Sequence, residues 1–454
     1  MSQIQVLKSS RGNPIVCYSG YLYTQHSISG EKRVFRCEDR NCRSRCHTNI
    51  QMEMVVKEPS EHSHAPDPDR VHIIQLKNEI KTRGSSSDEA TSTILFDALR
   101  TIPLNAVPDL PTNKSLMQTI RRKRQPVQLD ENGQLPFVFR LTDRGENFVL
   151  FEDPSMLIFT CDKNLSILKK CKHWFMDGTF SICPNSYYQL FTVHGMFSLQ
   201  IIPLVYVLLI GKAAEDYNDF FEQLLLLHDF EPESILVDYE IATLKSIRTK
   251  FPDAQPIGCL FHMSQCLWRE LRTLGYQNKY TTNAKFRMNV KKLLALAFVP
   301  VSDVVKGYAL IVDDFDDEDN PLLDYFERVW VGKKKGRGIQ RYHSKFSLQL
   351  WNMYERVIQD LPRSNNSIEG WHHAFNSRVS IKHPSIVKLT KCILRERSRF
   401  EADIERLRAG APPEKKKKAY VDLDARLKTV TLSYNIADIE DYLSRIAMNL
   451  KIGV

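Results

Sequence analysis

The chain has no hydrophobic run long enough to cross a bilayer. Its most apolar stretch, Ile201–Ile210, falls far short of the ~20 residues a membrane helix needs. It reads as a buried strand, and no membrane partner is expected. No apolar segment follows a basic start, so no secretory leader is expected either. The ten cysteines are therefore expected to be reduced thiols or metal ligands, not a disulfide framework. No internal repeat is visible. No Ser or Cys triad stands out, which argues against a protein nucleophile. The acidic run Asp313–Asp319 lacks the spacing of a calcium loop and reads as a solvated loop.

What the chain does have is a globular balance: 454 residues, 43% hydrophobic and 26% charged. That length suits roughly two to four domains. The net charge of +9 fits a polyanionic partner, although many basic proteins bind no nucleic acid.

Residues 8–68 are rich in Cys, His and basic residues, with short alternating runs that predict strands. A helical stretch follows, and Gly84–Ser87 reads as a flexible break. Residues 85–127 predict two helices, Asp88–Ile102 and one capped by Thr112 or Ser115. The second ends in Arg121-Arg122-Lys123-Arg124 and is stopped by Pro126. Residues 135–272 predict Phe137–Phe139 and several longer runs as strands, then alternating strand and helix. That is the element order of a ribonuclease-H-like domain. Residues 273–360 read as a helical insertion with the basic loop Lys333–Arg337. Residues 361–400 complete the core, and 401–454 form C-terminal helices split at Gly410–Pro413. The expected fold class is mixed α+β and α/β: a small zinc-stapled β-rich module, a helical DNA-binding linker, the interrupted core and a helical C-terminus.

Cys37 and Cys42, followed by His62 and His64, form a Cys2His2 set suited to tetrahedral zinc. A module this small has too little core to fold securely without a staple. Cys46 and His47 are rival ligands, with Cys46 expected as a small buried residue. Arg36, Arg43 and Arg45 near the ligands would suit phosphate contact, or form a solvated basic face.

Three acids stand out: Asp177 and Asp238 in or at the end of apolar strand-like runs, and Glu369 on a predicted helix. A buried carboxylate is costly unless something compensates its charge, and divalent metal ions do so in phosphodiester chemistry. Singly, each has a plain alternative. Asp177 precedes Gly178 and could mark a turn. Asp238 could cap the helix beginning near Ile241. Glu369 could flank the stripe Ile368, Trp371, Phe375 and Val379, in which Trp371 reads as core. Cys259 and His262 form a Cys-x-x-His pair, too few for a second zinc site. His373 lies one turn after Glu369 and within reach of a metal shell or a phosphate.

Residues 10–66 resemble a FLYWCH-type zinc finger through Tyr21-Leu22-Tyr23, Phe35-Arg36-Cys37, Cys42, Arg45, Thr48 and His62-x-His64-x-Pro66. Phe35 stands where the family usually has Trp. Most of 85–450 resembles Mutator-like element (MULE) transposases. The matching stretches include Met176–Phe180, Tyr187–Phe191, Pro203–Tyr206, Gly258–His262 and Arg363–His372. The resemblance implies a DDE-type DNA transposase in the nucleus, with Asp177, Asp238 and Glu369 holding two Mg²⁺ or Mn²⁺ ions. It implies supporting roles for Cys259, His262 and His373, and zinc on Cys37, Cys42, His62 and His64. Double-stranded DNA is the implied partner, as terminal inverted repeats and as target. Arg36, Arg43, Arg45, Arg121, Arg122, Lys123 and Arg124 are the expected contacts, and a homodimer or larger assembly is expected. The alternative is a domesticated, non-cutting DNA-binding regulator.

Overall fold

A computed structural model of the chain describes residues 4–9, 11–86, 89–123, 129–131, 133–336 and 340–453. Ser87, Asp88, Arg124, Pro126 and Arg337 lie outside the described residues. The chain divides into two compact units, Met1–Val127 and Gln128–Val454.

The first unit opens with an antiparallel six-stranded meander: β1 (Gln5–Lys8), β2 (Pro14–Tyr18), β3 (Tyr21–Ser29), β4 (Lys32–Cys37), β5 (Arg45–Asn49) and β6 (Val55–Lys57). Ser19 and Gly20, both at positive φ, close the β2–β3 hairpin in the tight two-residue geometry that favours glycine second. Strand alternation sorts the core onto both faces. Val16, Tyr23, Phe35 and Cys46 fill one face. Leu7, Ile15, Cys17 and Leu22 fill the other and meet Val71 of the helix Pro68–Ser86. That helix then packs Leu76 and Ile80 against the helices Thr91–Leu99 and Asn113–Lys123. The flexible break expected at Gly84 is corrected, because the helix runs through it. A Cβ on Gly84 would lie 3.0 Å from Ile120 Cγ2, so glycine there serves close helix packing. Thr112 Oγ1 accepts from Ser115 N–H at 3.4 Å, which makes Thr112 the cap.

The second unit is built on a seven-stranded sheet of β7 (Val149–Glu152), β8 (Met156–Phe159), β9 (His173–Thr179), β10 (Gln189–Phe197), β11 (Gln200–Leu209), β12 (Ser234–Val237) and β13 (Gln255–Gly258). The spatial order is β13-β12-β9-β10-β11-β8-β7. β12 and β13 run parallel to β9, and the remaining pairs are antiparallel. Near-continuous apolar runs suit strands covered on both faces, and β11 is buried from Pro203 to Leu209. Pro203 sits inside this central strand at a register shift. A bulge of that kind tolerates the missing N–H. The displaced Leu204 carbonyl accepts from Thr160 Oγ1 at 2.9 Å and Asn164 Nδ2 at 3.0 Å.

Three expectations are corrected in this unit. Phe137–Phe139, predicted as a strand, is a single helical turn after Pro136 with Phe137 and Val138 exposed. A short helix, Asp162–Lys170, stands between β8 and β9, where no helix was expected. The acidic run is not simply solvated. Asp319 is buried and 2.7 Å from Lys279 Nζ, and Asp314 lies 2.8 Å from Lys292 Nζ, so these acids pin the insertion helices together. The C-terminal helix Ile439–Met448 packs on Ala284–Ala295, and Tyr442 donates to the Phe298 carbonyl.

Candidate metal centre and candidate active site

In the first unit Cys37, Cys42, His62 and His64 place their ligand atoms within 4.8 Å of one another. Cys37 Sγ is 3.2 Å from His64 Nε2, and Cys42 Sγ is 3.4 Å from His62 Nδ1. The other ring nitrogens are already engaged. His62 Nε2 meets Tyr23 Oη at 2.7 Å, and His64 Nδ1 meets the Ala65 carbonyl at 2.9 Å. Such outer partners fix which nitrogen faces a metal. Tyr21 stacks on His62 at 3.6 Å and holds the ring plane. Burial raises the Cys42 thiol, but hydrogen bonds to the Ser63 and Ser44 backbone outweigh it and bring the thiol down to about 7. That favours the thiolate a zinc ligand must be. Cys46 lies outside the set, buried in the sheet core, where burial pushes its thiol up to about 11. His47 is outside it as well.

The basic candidates of this unit are exposed. Arg36 and Arg45 stand directly opposite each other on β4 and β5. Like charges so placed repel, a cost that a bound polyanion relieves. Arg43 is exposed nearby. Arg121, Arg122 and Lys123 form the exposed last turn of Asn113–Lys123, where cations also suit the helix dipole.

In the second unit the three acids converge from distant parts of the chain. Asp177 lies within β9 opposite Thr192, so it is not a turn residue. Asp238 follows β12 directly, and Glu240 rather than Asp238 precedes the helix Ile241–Lys250 as its N-cap. Glu369 stands in the first turn of the helix Asn366–Val379. His262, on the helix Leu260–Thr273, bridges two of them: Nδ1 is 2.7 Å from Asp238 Oδ1, and Nε2 is 3.6 Å from Glu369 Oε1. His372 Nδ1 is 3.2 Å from Asp177 Oδ2, and Asp177 Oδ1 accepts from the Gly178 N–H at 2.8 Å.

A web of backbone contacts delivers Glu369 to this place. Arg356 is buried and donates to the Pro362 carbonyl at 2.9 Å and to Ser234 Oγ at 3.0 Å. The Leu260 N–H donates to the Arg363 carbonyl at 3.0 Å, and Cys259 Sγ accepts from the Asn365 N–H at 3.2 Å. Asn365 Nδ2 donates to the Met176 carbonyl at 3.1 Å, beside Asp177. The segment before Glu369 is thus tied to β9, to β12 and to the end of β13.

The electrostatics couple the acids to one another and to His262. Burial raises the Asp238 carboxyl above its usual range; His262 pulls it down and Asp177 pushes it further up. Burial also raises Glu369, opposed by His262 and reinforced by Asp177 and Asp238. Burial disfavours the His262 imidazolium, yet Asp238 and Cys259 outweigh it and lift the ring to about 11. Among the described residues, Asp238 Oδ1, Glu369 Oε1, His262 Nδ1 and His372 Nε2 are buried without an aligned hydrogen-bond partner. The close His262–Asp238 approach is therefore an ion contact lying off the ring N–H direction. Asp238, Cys259 and His262 place their ligand atoms within 4.8 Å of one another, a set that could hold a cation, and a bound cation would offset the cost of the buried carboxylates.

The profile of the FLYWCH zinc finger domain matches residues 6–64, and that of the MULE transposase domain matches residues 173–266. The chain carries a FLYWCH zinc finger and a MULE transposase domain. The finger's Cys2His2 cluster supports zinc as its metal. The MULE domain match runs from the start of β9 into the helix Leu260–Thr273, and so includes Asp177, Asp238, Cys259 and His262. No curated protein matches the chain. Among solved structures it is similar to a chain of the "Drosophila P element transposase strand transfer complex", at 10% identity over 74% of this chain and 92% of that one. The TM-score is 0.28, too low for the likeness to bear on the fold.

The MULE domain site also holds residues that sequence reasoning missed. His373 is exposed, and it is His372 that turns inward to Asp177. The helical period explains the correction, because His372 falls within the buried arc of Ile368, Trp371 and Phe375 while His373 falls outside it. Trp371 is core as expected, stacked on Phe375 at 5.0 Å and donating to Glu396 Oε2 at 3.0 Å. Arg356 carried no recognisable signal for its bond to the distant Ser234 hydroxyl, and Asn365, although within the Arg363–His372 stretch, carried none for its bond to the Met176 carbonyl.

Proposed function

We propose that this protein is a DNA transposase of the Mutator-like type that cleaves the ends of its element and joins them to target DNA. The observation that carries the proposal is the approach of Asp177, Asp238 and Glu369 beside the paired strands β9 and β12, linked through His262 and His372. The sheet order supports a ribonuclease-H-like core. Taken from β9, it places an antiparallel β9–β10–β11 meander on one side and parallel β12 and β13 on the other.

The three carboxylates offer hard oxygen donors, which suit Mg²⁺ or Mn²⁺. Two such ions, when bound, supply an activated oxygen nucleophile and neutralise charge on the leaving oxygen. His372 orients Asp177, while Asn365, held by Cys259, aligns the Glu369 helix with β9. Water attacks phosphorus at the element end and releases a 3′-hydroxyl. That hydroxyl then attacks target phosphorus, exchanging one P–O bond for another. The finger and the basic helical turn Arg121–Lys123 bind the terminal inverted repeats, with phosphate contacts supplying much of the affinity.

The test is to incubate the protein and a Glu369→Gln variant with DNA spanning the flanks of its own gene plus Mn²⁺, and to map new 3′-hydroxyl ends. Cuts at paired inverted repeats that vanish in the variant support the proposal. Binding by both proteins with cuts from neither would replace it with the non-cutting regulator.

A further inference from the structure

A groove of about 350 Å³ lies beside the candidate active site, lined by Ile241, Leu244, Lys245, Arg248, Thr249, Lys345 and Phe346. Lys245, Arg248 and Thr249 recur at helical spacing on one face of Ile241–Lys250, and Lys345, next to Phe346, lines the groove with them. Among the described residues none of these three cations has a carboxylate partner, whereas Lys250 on the same helix is paired with Glu222 at 2.8 Å. Three cations around one cavity repel one another unless an anion joins them.

The groove is anchored to the site. Phe346 packs on Tyr239, the residue after Asp238, at 4.9 Å, and Trp330 closes the other edge of that ring at 4.9 Å. Gly258, at the end of β13, leaves the space the Tyr239 ring occupies, since a Cβ there would lie 2.3 Å from Tyr239 Cε1. Lys333, Lys334 and Lys335 follow Trp330 closely in sequence, and an exposed Tyr342 lies under Lys335 Nζ at 4.9 Å.

We propose that this groove is a phosphate-binding track for double-stranded DNA, in which Lys245, Arg248 and Lys345 hold the backbone as it leaves the candidate active site. The proposal rests on the transposase reading and adds a contact surface to it. The floor of Leu244 and Phe346 carries no base-reading donors, so the track binds backbone without regard to sequence.

The experiment uses the full-length protein and a fluorescein-labelled random 30-base-pair duplex, with affinity measured across a salt series. Each lost phosphate contact flattens the slope of log affinity against log salt by about 0.9. Changing Lys245, Arg248 and Lys345 together to Ala is therefore expected to flatten it by nearly 3, with an unchanged thermal melt. Acetylation footprinting of the unmutated protein gives a second readout: the duplex should protect Lys245 and Lys345 while leaving Lys172, which is paired with Glu233, reactive. An unchanged slope together with unprotected lysines overturns the groove. If Mn²⁺-dependent cutting survives in that case, the transposase reading stands without it. A wild-type protein that neither binds nor cuts any DNA overturns both.

Discussion

His372 and His373 are adjacent in sequence but have different surroundings. His372 is buried against Asp177 and His373 is exposed. Outer partners of metal-binding residues typically contribute 10–100-fold to metal affinity or activity. His372→Ala is therefore expected to slow Mn²⁺-dependent cleavage by about 10–100-fold and to raise the Mn²⁺ concentration for half-maximal rate. His373→Ala should leave both unchanged. Equal loss in the two variants, or a rate loss with no change in metal demand, would remove His372 from its positioning role. Cys259 belongs to the same scale. Its thiol accepts from the Asn365 backbone, so Cys259→Ser, which keeps an acceptor, should retain more activity than Cys259→Val in the same cleavage assay.

Two elements are held by packing that a single side chain can upset. Gly258 ends β13 against the Tyr239 ring. Gly258→Ala overpacks that contact and is expected to cost about 1–3 kcal/mol, read as a lower denaturant midpoint. The long helix Ile386–Arg408 is fastened by a buried charge cluster. Arg397 meets Glu401 at 2.9 Å and Glu146 at 2.8 Å, and Glu401 also meets Lys163 at 3.0 Å. Removing the Glu401 charge deprives the buried Arg397 of one of its carboxylate partners, so Glu401→Gln should cost about 1.5–3 kcal/mol. Burial alone would raise the Glu401 carboxyl, but Lys163, Arg397 and Arg144 outweigh it and hold it below its ordinary range. The stabilisation is thus fully present above the ordinary glutamate pKa of about 4.3. It is lost as pH falls through the depressed folded value. Chemical denaturation at pH 7 and at pH 3 checks the sign: the gap between wild type and Glu401→Gln should shrink in acid.

On the scale of the whole molecule, the division into two units makes zinc a local dependence. A chelator should unfold the finger sheet while the seven-stranded sheet melts as before. Calorimetry should show one transition lost or shifted down and another unmoved; a single transition displaced as a whole would contradict this. Much of this organisation was legible in the chain. The Cys2His2 set was readable because a tetrahedral site needs Cys and His at short spacings, and most strands because their apolar runs are long enough; the short run Phe137–Phe139 was misread as a strand. Asp177 and Asp238 stood out because a carboxylate in or beside such a run needs a reason to be there. Other features were not legible, because they depend on which distant segments meet. The sequence could not choose between His372 and His373, since only packing against β9 determines which side of the Glu369 helix is inside. It could not show that Asn365 and Arg356 carry that helix to the acids, because the groups they reach, the Met176 carbonyl and the Ser234 hydroxyl, lie far away in sequence. Nor could it gather Lys245, Arg248 and Lys345 around one groove. By itself the sequence marked the Cys2His2 set, most of the strands and the candidate acids, all of which rest on local chemistry; only the tertiary structure decided how the acids, their supporting residues and the groove's cations are brought together, because those distances are set by long-range packing.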